Sequence, residues 1–196
     1  WVDFFPVASI DIEKAKRGEK IFLNSCKRCH GIYEKGWSSS DAGDLSDEQL
    51  LSTTKVKYHK RTPVKNVGTD PLRYQGMKHF ADDLNKMAIS KWMKTVVVPQ
   101  EGYVPPPLVG IWARFPYLHN NSVPTLCDLL TPVEKRTKKF YQGHSKNPDT
   151  DFDSKCIGYP VGENAPKQWS KVQDALIDTT RSGLRNIGHE KMLLDE

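Results

Sequence analysis

Nothing in the 196 residues comes near the ~18 consecutive apolar positions that a membrane-spanning helix requires. Mean hydropathy is −0.61, in keeping with a soluble globular chain. Cysteine is scarce, with four residues at positions 26, 29, 127 and 156. There is no internal repeat and no low-complexity tract, the Ser38-Ser39-Ser40 run being too short to count as one. Nor is there a charged segment followed by an apolar core and a small-residue cleavage site. The chain, which opens at Trp1, is therefore expected to carry no leader, and its compartment has to be read from its chemistry. The net charge is only +5, with no recognised nucleic-acid-binding module and no long basic stripe, so nucleic acid is not an expected partner.

Five Trp, seven Tyr and seven Phe argue for a packed core and against disorder. Thirteen Gly and thirteen Pro, many in clusters, predict helices separated by substantial loops and disfavour an all-β or doubly wound fold. The length suits one domain spanning residues 1–196, the alternative being two small ones. Positive charge is uneven: residues 1–98 hold 17 Lys and Arg against 12 Asp and Glu, and residues 99–196 hold 12 against 12. The densest part is Lys55, Lys57, Lys60 and Arg61 around Tyr58 and His59, which reads as a solvated face or as a docking patch for an acidic partner.

The informative motif is Cys26-Lys27-Arg28-Cys29-His30, the attachment pattern of c-type haem. Two thiols three positions apart can add to the two vinyl groups on one edge of a porphyrin, and the adjacent imidazole then reaches the iron as proximal ligand. A thioredoxin-like dithiol would follow a strand, whereas the preceding residues read as helix. A structural zinc site would need a second ligand pair nearby, and Cys127 and Cys156 are distant and 29 apart. Residues 11–24 carry Ala15, Ile21 and Phe22 at helical spacing, with Gly18 among them and Asp11 as N-cap, so a helix delivers the cysteines at its C-terminal end. Covalent haem is attached outside the reducing cytosol, which predicts a periplasmic or otherwise extracytoplasmic protein. In such a compartment Cys127 and Cys156 read as a disulfide, the other reading being two buried thiols.

Further on stand Val67-Gly68-Thr69-Asp70-Pro71-Leu72-Arg73 and a longer run over residues 107–130 that contains Pro116-Tyr117-Leu118-His119-Asn120-Asn121. This segment, with Gly143 after Phe140 and residues 156–162 and 183–189, resembles the haem-bearing carboxy-terminal half of the rubber-oxygenase-like cytochromes, relatives of the di-haem cytochrome c peroxidases. The resemblance implies a mostly α, cytochrome c-like single-haem domain with large loop insertions, its family-specific segment being loop-rich over residues 99–196. It departs from the family at Asn120-Asn121, where relatives have Asn-Gly, so the turn has to form without glycine. It departs again in carrying one attachment motif where catalytic members carry two.

With His30 proximal, the distal candidates are His59, Met77, His79, Met87, Met93, His119, His144 and His189. His119 comes first, because Pro116 and Pro124 make its surroundings rigid and the resemblance implies a histidine near the haem. The alternative for His119 is a propionate or backbone hydrogen bond. Met77 stands in the stretch Tyr74-Gln75-Gly76-Met77-Lys78-His79, read as irregular and able to present a thioether. A short helix is predicted from about Ser46, where Ser46 and Gln49 match a capping box, and a second over residues 80–97, with Met87 and Met93 packing in the core. Trp37, Trp112 and Tyr117 read mainly as cover for the ring. The functional reading is one-electron transfer by one covalent haem c, with a redox partner whose docking face is acidic and with no catalytic residue required. The alternative is a haem peroxidase or dioxygenase, this chain being one half of a di-haem enzyme.

Overall fold

The computed structural model describes residues 5–61 and 64–190. They form two compact units, one made of residues 5–61 with residues 105–109, the other of residues 64–104 with residues 110–190.

In the first unit, helix α1 (Ile12–Ser25) starts where the Asp11 carboxylate accepts the Lys14 N–H at 2.8 Å, the N-cap the sequence predicts. A short helix α2 (Lys27–His30) follows directly, and Gly31 ends it at φ +81°. Only glycine fits here, because a Cβ would press on the Lys57 carbonyl and the Tyr58 ring. Strand β1 (Ile32–Lys35), helix α3 (Asp47–Leu51) and strand β2 (Thr53–Lys57) complete the unit. Helix α3 opens on the Ser46/Gln49 capping box that the sequence shows. The two strands pair antiparallel, Ile32 opposite Lys57, with a bulge at Glu34/Lys35.

The second unit carries α4 (Leu72–Lys86), α5 (Ala88–Met93), α6 (Leu126–Leu129), β3 (Lys139–Tyr141) and β4 (Leu176–Asp178). Its core is aromatic. Phe140, Tyr159 and Trp169 are buried together, and Phe115 meets Tyr159 edge-on at 4.8 Å. Gly143 lies against Trp169, and a Cβ there would fall inside the indole ring. Cys127, on α6, is joined to Cys156 by a disulfide.

The expectation of a mostly α, cytochrome c-like domain is overturned. The architecture is an α/β mix, 38% helical and 12% strand, with six α-helices and two small two-stranded sheets among the described residues. The strands are three to five residues long, too short to show a period of two. Strand β2, Thr53-Thr54-Lys55-Val56-Lys57, is exposed throughout, so it imitates a polar loop in sequence. Residues 80–97 likewise do not form one helix. The chain turns out of α4 at Met87 (ψ 142°) and restarts as α5, while α4 begins eight residues earlier than predicted, at Leu72.

Candidate functional site

In the first unit, α1 and α2 bring Cys26, Cys29 and His30 onto one short helical turn. The Cys29 N–H and the His30 N–H both donate to the Cys26 carbonyl, at 3.1 and 3.0 Å. Cys29 is buried and Cys26 half-buried, and both are unbridged thiols. Burial, and then the neighbouring Cys29, push the Cys26 thiol above its ordinary range. A redox-active dithiol needs the opposite shift.

Around this turn runs a hydrogen-bonded frame from the Pro105-Pro106-Pro107 segment. His30 Nδ1 lies 3.0 Å from the Pro106 carbonyl oxygen, which makes Nδ1 the protonated nitrogen and Nε2 the basic one. The Tyr33 hydroxyl donates to the His30 carbonyl at 2.7 Å and accepts the Leu108 N–H at 2.7 Å. Tyr58 donates to the Pro105 carbonyl, and His59 Nε2 meets the Cys29 carbonyl at 3.2 Å. His59, a distal candidate in the sequence, thus braces the attachment turn from its own side. Phe22 packs edge-on against Tyr33, which ties α1 to the same frame.

Three features fit a covalently held haem: two free thiols one helical turn apart, an adjacent histidine, and a carbonyl partner that fixes the tautomer of that histidine. Among the described residues no three His, Cys, Asp or Glu side chains converge as a metal cage. Haem iron takes four ligands from the porphyrin, so the protein has only to supply one or two.

In the second unit, His119 stands in a tight turn. Tyr117 and Val123 exchange N–H to carbonyl bonds of 2.7 and 3.3 Å across it, and Asn121 takes φ +56°. The turn therefore does form without glycine, because asparagine is among the few residues that tolerate the left-handed region. The His119 ring lies flat on Tyr103, centroids 3.5 Å apart and planes within 14°, and Tyr103 in turn contacts Tyr74. Arg73 donates to the His119 carbonyl at 3.1 Å. Burial, then the Arg73 charge, lower the His119 pKa, against smaller opposing contributions from Asp70. Asn120 donates to the carbonyls of Gly183 and Arg185, and Ser122 also donates to that of Arg185.

Asp70 is the hub behind this turn. Its carboxylate is fully buried, and it accepts the N–H groups of Leu72 (3.0 Å), Gly183 (3.0 Å) and Arg185 (3.2 Å) together with the Arg185 Nε–H (2.9 Å). Burial alone would raise its pKa, but these donors outweigh burial and hold it below the usual carboxylate range. The His189 N–H donates to the Val67 carbonyl, where Gly188 (φ +78°) crosses the backbone of Gly68 so closely that no side chain fits.

Met77 is half-buried within α4, so the stretch read as irregular is regular helix. His79 and His144 are exposed, and Met87 and Met93 are 49% and 56% exposed rather than core. Cys26, Cys29 and His30 are brought together in the first unit, while His119 and Met77 belong to the second. Sequence reading missed the Pro106 carbonyl, Tyr33 and Asp70. Backbone acceptors leave no side-chain signature, though the tyrosine three positions after His30 is a cue that could have been used.

No helix among the described residues is long and apolar enough to cross a membrane. The chain is 28% identical to the uncharacterized protein y4iJ of Sinorhizobium fredii over 93% of its length, and 26% identical to the uncharacterized protein y4iM of the same organism over 94%. It spans only 35% and 43% of the lengths of these two relatives. Residues 102–141, which include the Pro106 carbonyl and His119, match the family described as RoxA-like, cytochrome c-like, so this part of the chain is similar to a cytochrome c-like region and points to haem c.

Proposed function

We propose that the chain holds a single haem c through thioether bonds to Cys26 and Cys29, with His30 as proximal ligand, and that it transfers one electron at a time in the periplasm or a like compartment. The observation that carries this reading is the Pro106 carbonyl on His30 Nδ1. An imidazole so held presents a basic Nε2 in a fixed orientation, as an axial ligand requires. When bound, haem c supplies an iron that takes up and gives back one electron, at a potential set by its axial ligands. Tyr33 and His59 hold the carbonyls of His30 and Cys29, so the attachment turn keeps its shape between oxidation states. The burial of Cys29 keeps water from its thioether side.

His119 is assigned the distal position, with Met77 as the alternative. Stacking on Tyr103 and the closed turn around it support a ring held in one orientation. Exposed Lys55, Lys60 and Arg61 form the basic face for an acidic redox partner. No side-chain acid or base takes part. The Cys127–Cys156 disulfide suits an oxidising compartment.

The test is expression with c-type maturation, followed by intact mass, pyridine haemochrome and ferric electron paramagnetic resonance spectra. One covalent haem is expected, together with a low-spin signal that turns high-spin in His119→Ala. Each of Cys26→Ala and Cys29→Ala should leave a single thioether and a red-shifted haemochrome band. A chain that matures without covalent haem sinks the proposal. A second reading, a haem peroxidase or oxygenase of which this chain is the haem-bearing part, is favoured by the similarity to a RoxA-like region and by the greater length of the two relatives. It takes the lead if the ferric protein is high-spin and binds cyanide readily.

A further inference from the structure

Residues 86–96 form an exposed excursion of the second unit. Asn85 closes the neck of this excursion: its amide donates to the Val97 carbonyl at 3.0 Å, and its side-chain oxygen accepts the Val97 N–H at 2.7 Å. Within the excursion, Ser90 donates to the Leu84 carbonyl at 2.7 Å, and Lys94 ends α5 in the left-handed region (φ +51°). The knob is thus pinned at its base and has a defined shape. Every residue of it except Ser90 is exposed.

Its composition is unusual for a surface. Ile89, Trp92 and Met93 stand at the spacing of one face of α5 and are 53%, 77% and 56% exposed, and Val96, three residues past the end of the helix, is 75% exposed. Val98 (68%) and Met87 (49%) extend the apolar surface on either side. A soluble surface that leaves a tryptophan and five aliphatic or thioether side chains bare in twelve residues marks an interaction site. The charge within it has one sign. Between Asp83 and Glu101 the chain carries Lys86, Lys91 and Lys94 and neither Asp nor Glu. The ion pair Lys86 makes with Asp83, at 3.7 Å with both side chains well exposed, leaves its charge largely available.

We propose that this knob is a membrane-surface anchor, in which Trp92, Met93 and Val96 enter the headgroup and upper acyl region of an anionic phospholipid bilayer while Lys86, Lys91 and Lys94 rest on the phosphates. Tryptophan and short apolar side chains flanked by lysine stems that keep their ammonium groups in the headgroup layer are the chemistry of such interfaces. A protein partner for a surface so charged would need an acidic rim around an apolar pocket. An anionic bilayer offers both without a specific fit. The proposal does not depend on haem.

The purified full chain is sedimented with phosphatidylcholine vesicles containing 30–40% phosphatidylglycerol, roughly the anionic content that gives polybasic segments their grip, and with pure phosphatidylcholine vesicles. Binding to the anionic vesicles that weakens in high salt is expected. Lys86→Gln/Lys91→Gln/Lys94→Gln should lower partitioning about 100-fold, and Trp92→Ser/Val96→Ser roughly tenfold or more. All five positions are exposed, so both variants should keep the wild-type melting temperature. Vesicles should also shift tryptophan emission to the blue in the wild type, and this shift should vanish in Trp92→Phe, which keeps its binding. Failure to bind anionic vesicles, or binding that both variants retain, overturns the proposal. A concentration-dependent dimer that Trp92→Ser/Val96→Ser abolishes, with no vesicle binding, overturns it in favour of a second copy of the chain.

Discussion

Replacing Asp70 by alanine removes an acceptor on which three backbone N–H groups and a guanidinium converge. The four donors do not suffer equally. Leu72 is half exposed and the Arg185 side chain is 40% exposed, so water can reach both once the carboxylate is gone. The N–H groups of Gly183 and Arg185 belong to half-buried backbone and lose most. An unsatisfied buried donor costs about 1–3 kcal/mol, and removing one partner of a buried charged network costs about 3–5 kcal/mol. For Asp70→Ala we therefore expect about 3–5 kcal/mol, which at about 2–4 °C per kcal/mol for a chain of this size is a fall in Tm of roughly 6–20 °C. The assay is thermal and urea unfolding followed by circular dichroism. Arg185→Ala is the companion variant. If the backbone donors carry the effect, it should cost less than half as much, because the guanidinium faces solvent. A loss below about 1 kcal/mol for Asp70→Ala, or equal losses for the two variants, would refute the view of Asp70 as a clamp on backbone N–H groups.

The remaining expectations concern single contacts. Tyr33→Phe deletes one donated and one accepted bond of 2.7 Å at the attachment turn and should cost about 1–3 kcal/mol in urea unfolding, while covalent haem, read by haemochrome, stays at wild-type level. Reducing Cys127–Cys156 opens a loop of 29 residues, which the chain-entropy account values at roughly 3–4 kcal/mol; a melt with and without phosphine reductant measures it, and an unchanged Tm in the fully reduced protein contradicts that account. Asp151 is held below the usual carboxylate range by the Asn147 N–H, with further help from Thr150 and the Lys146 N–H. Its folded pKa lies under its unfolded value, so its contribution is complete above about pH 4 and is lost as pH falls through the folded pKa. The acid limb of the stability profile should accordingly be shallower in Asp151→Asn than in the wild type, and two superimposable profiles would count against that role.

Apart from the Cys127–Cys156 bridge, the parts legible in the sequence share a physical character: the interaction lies within a few residues of its partner. The Asp11 cap meets Lys14, the capping box joins Ser46 to Gln49, and the two thiols and His30 occupy one turn. What stayed hidden depends on partners far along the chain. The strands β1 and β2 are made by pairing Ile32 with Lys57 rather than by any alternation of their own. The Pro106 carbonyl comes to His30 from 76 residues away, and Asp70 meets Arg185 across 115. The periodicity of residues 80–97 misled for a different reason. Apolar residues at helical spacing show that one face of a segment is apolar, not that the protein itself covers that face. Phe80, Met87 and Trp92, which carry that spacing, remain exposed, as does Met93; the chain turns at Met87, and Asn85 ties its return at Val97. The same pattern that predicted a core helix thus becomes, once its burial is known, the strongest sign in this molecule of a surface awaiting a partner.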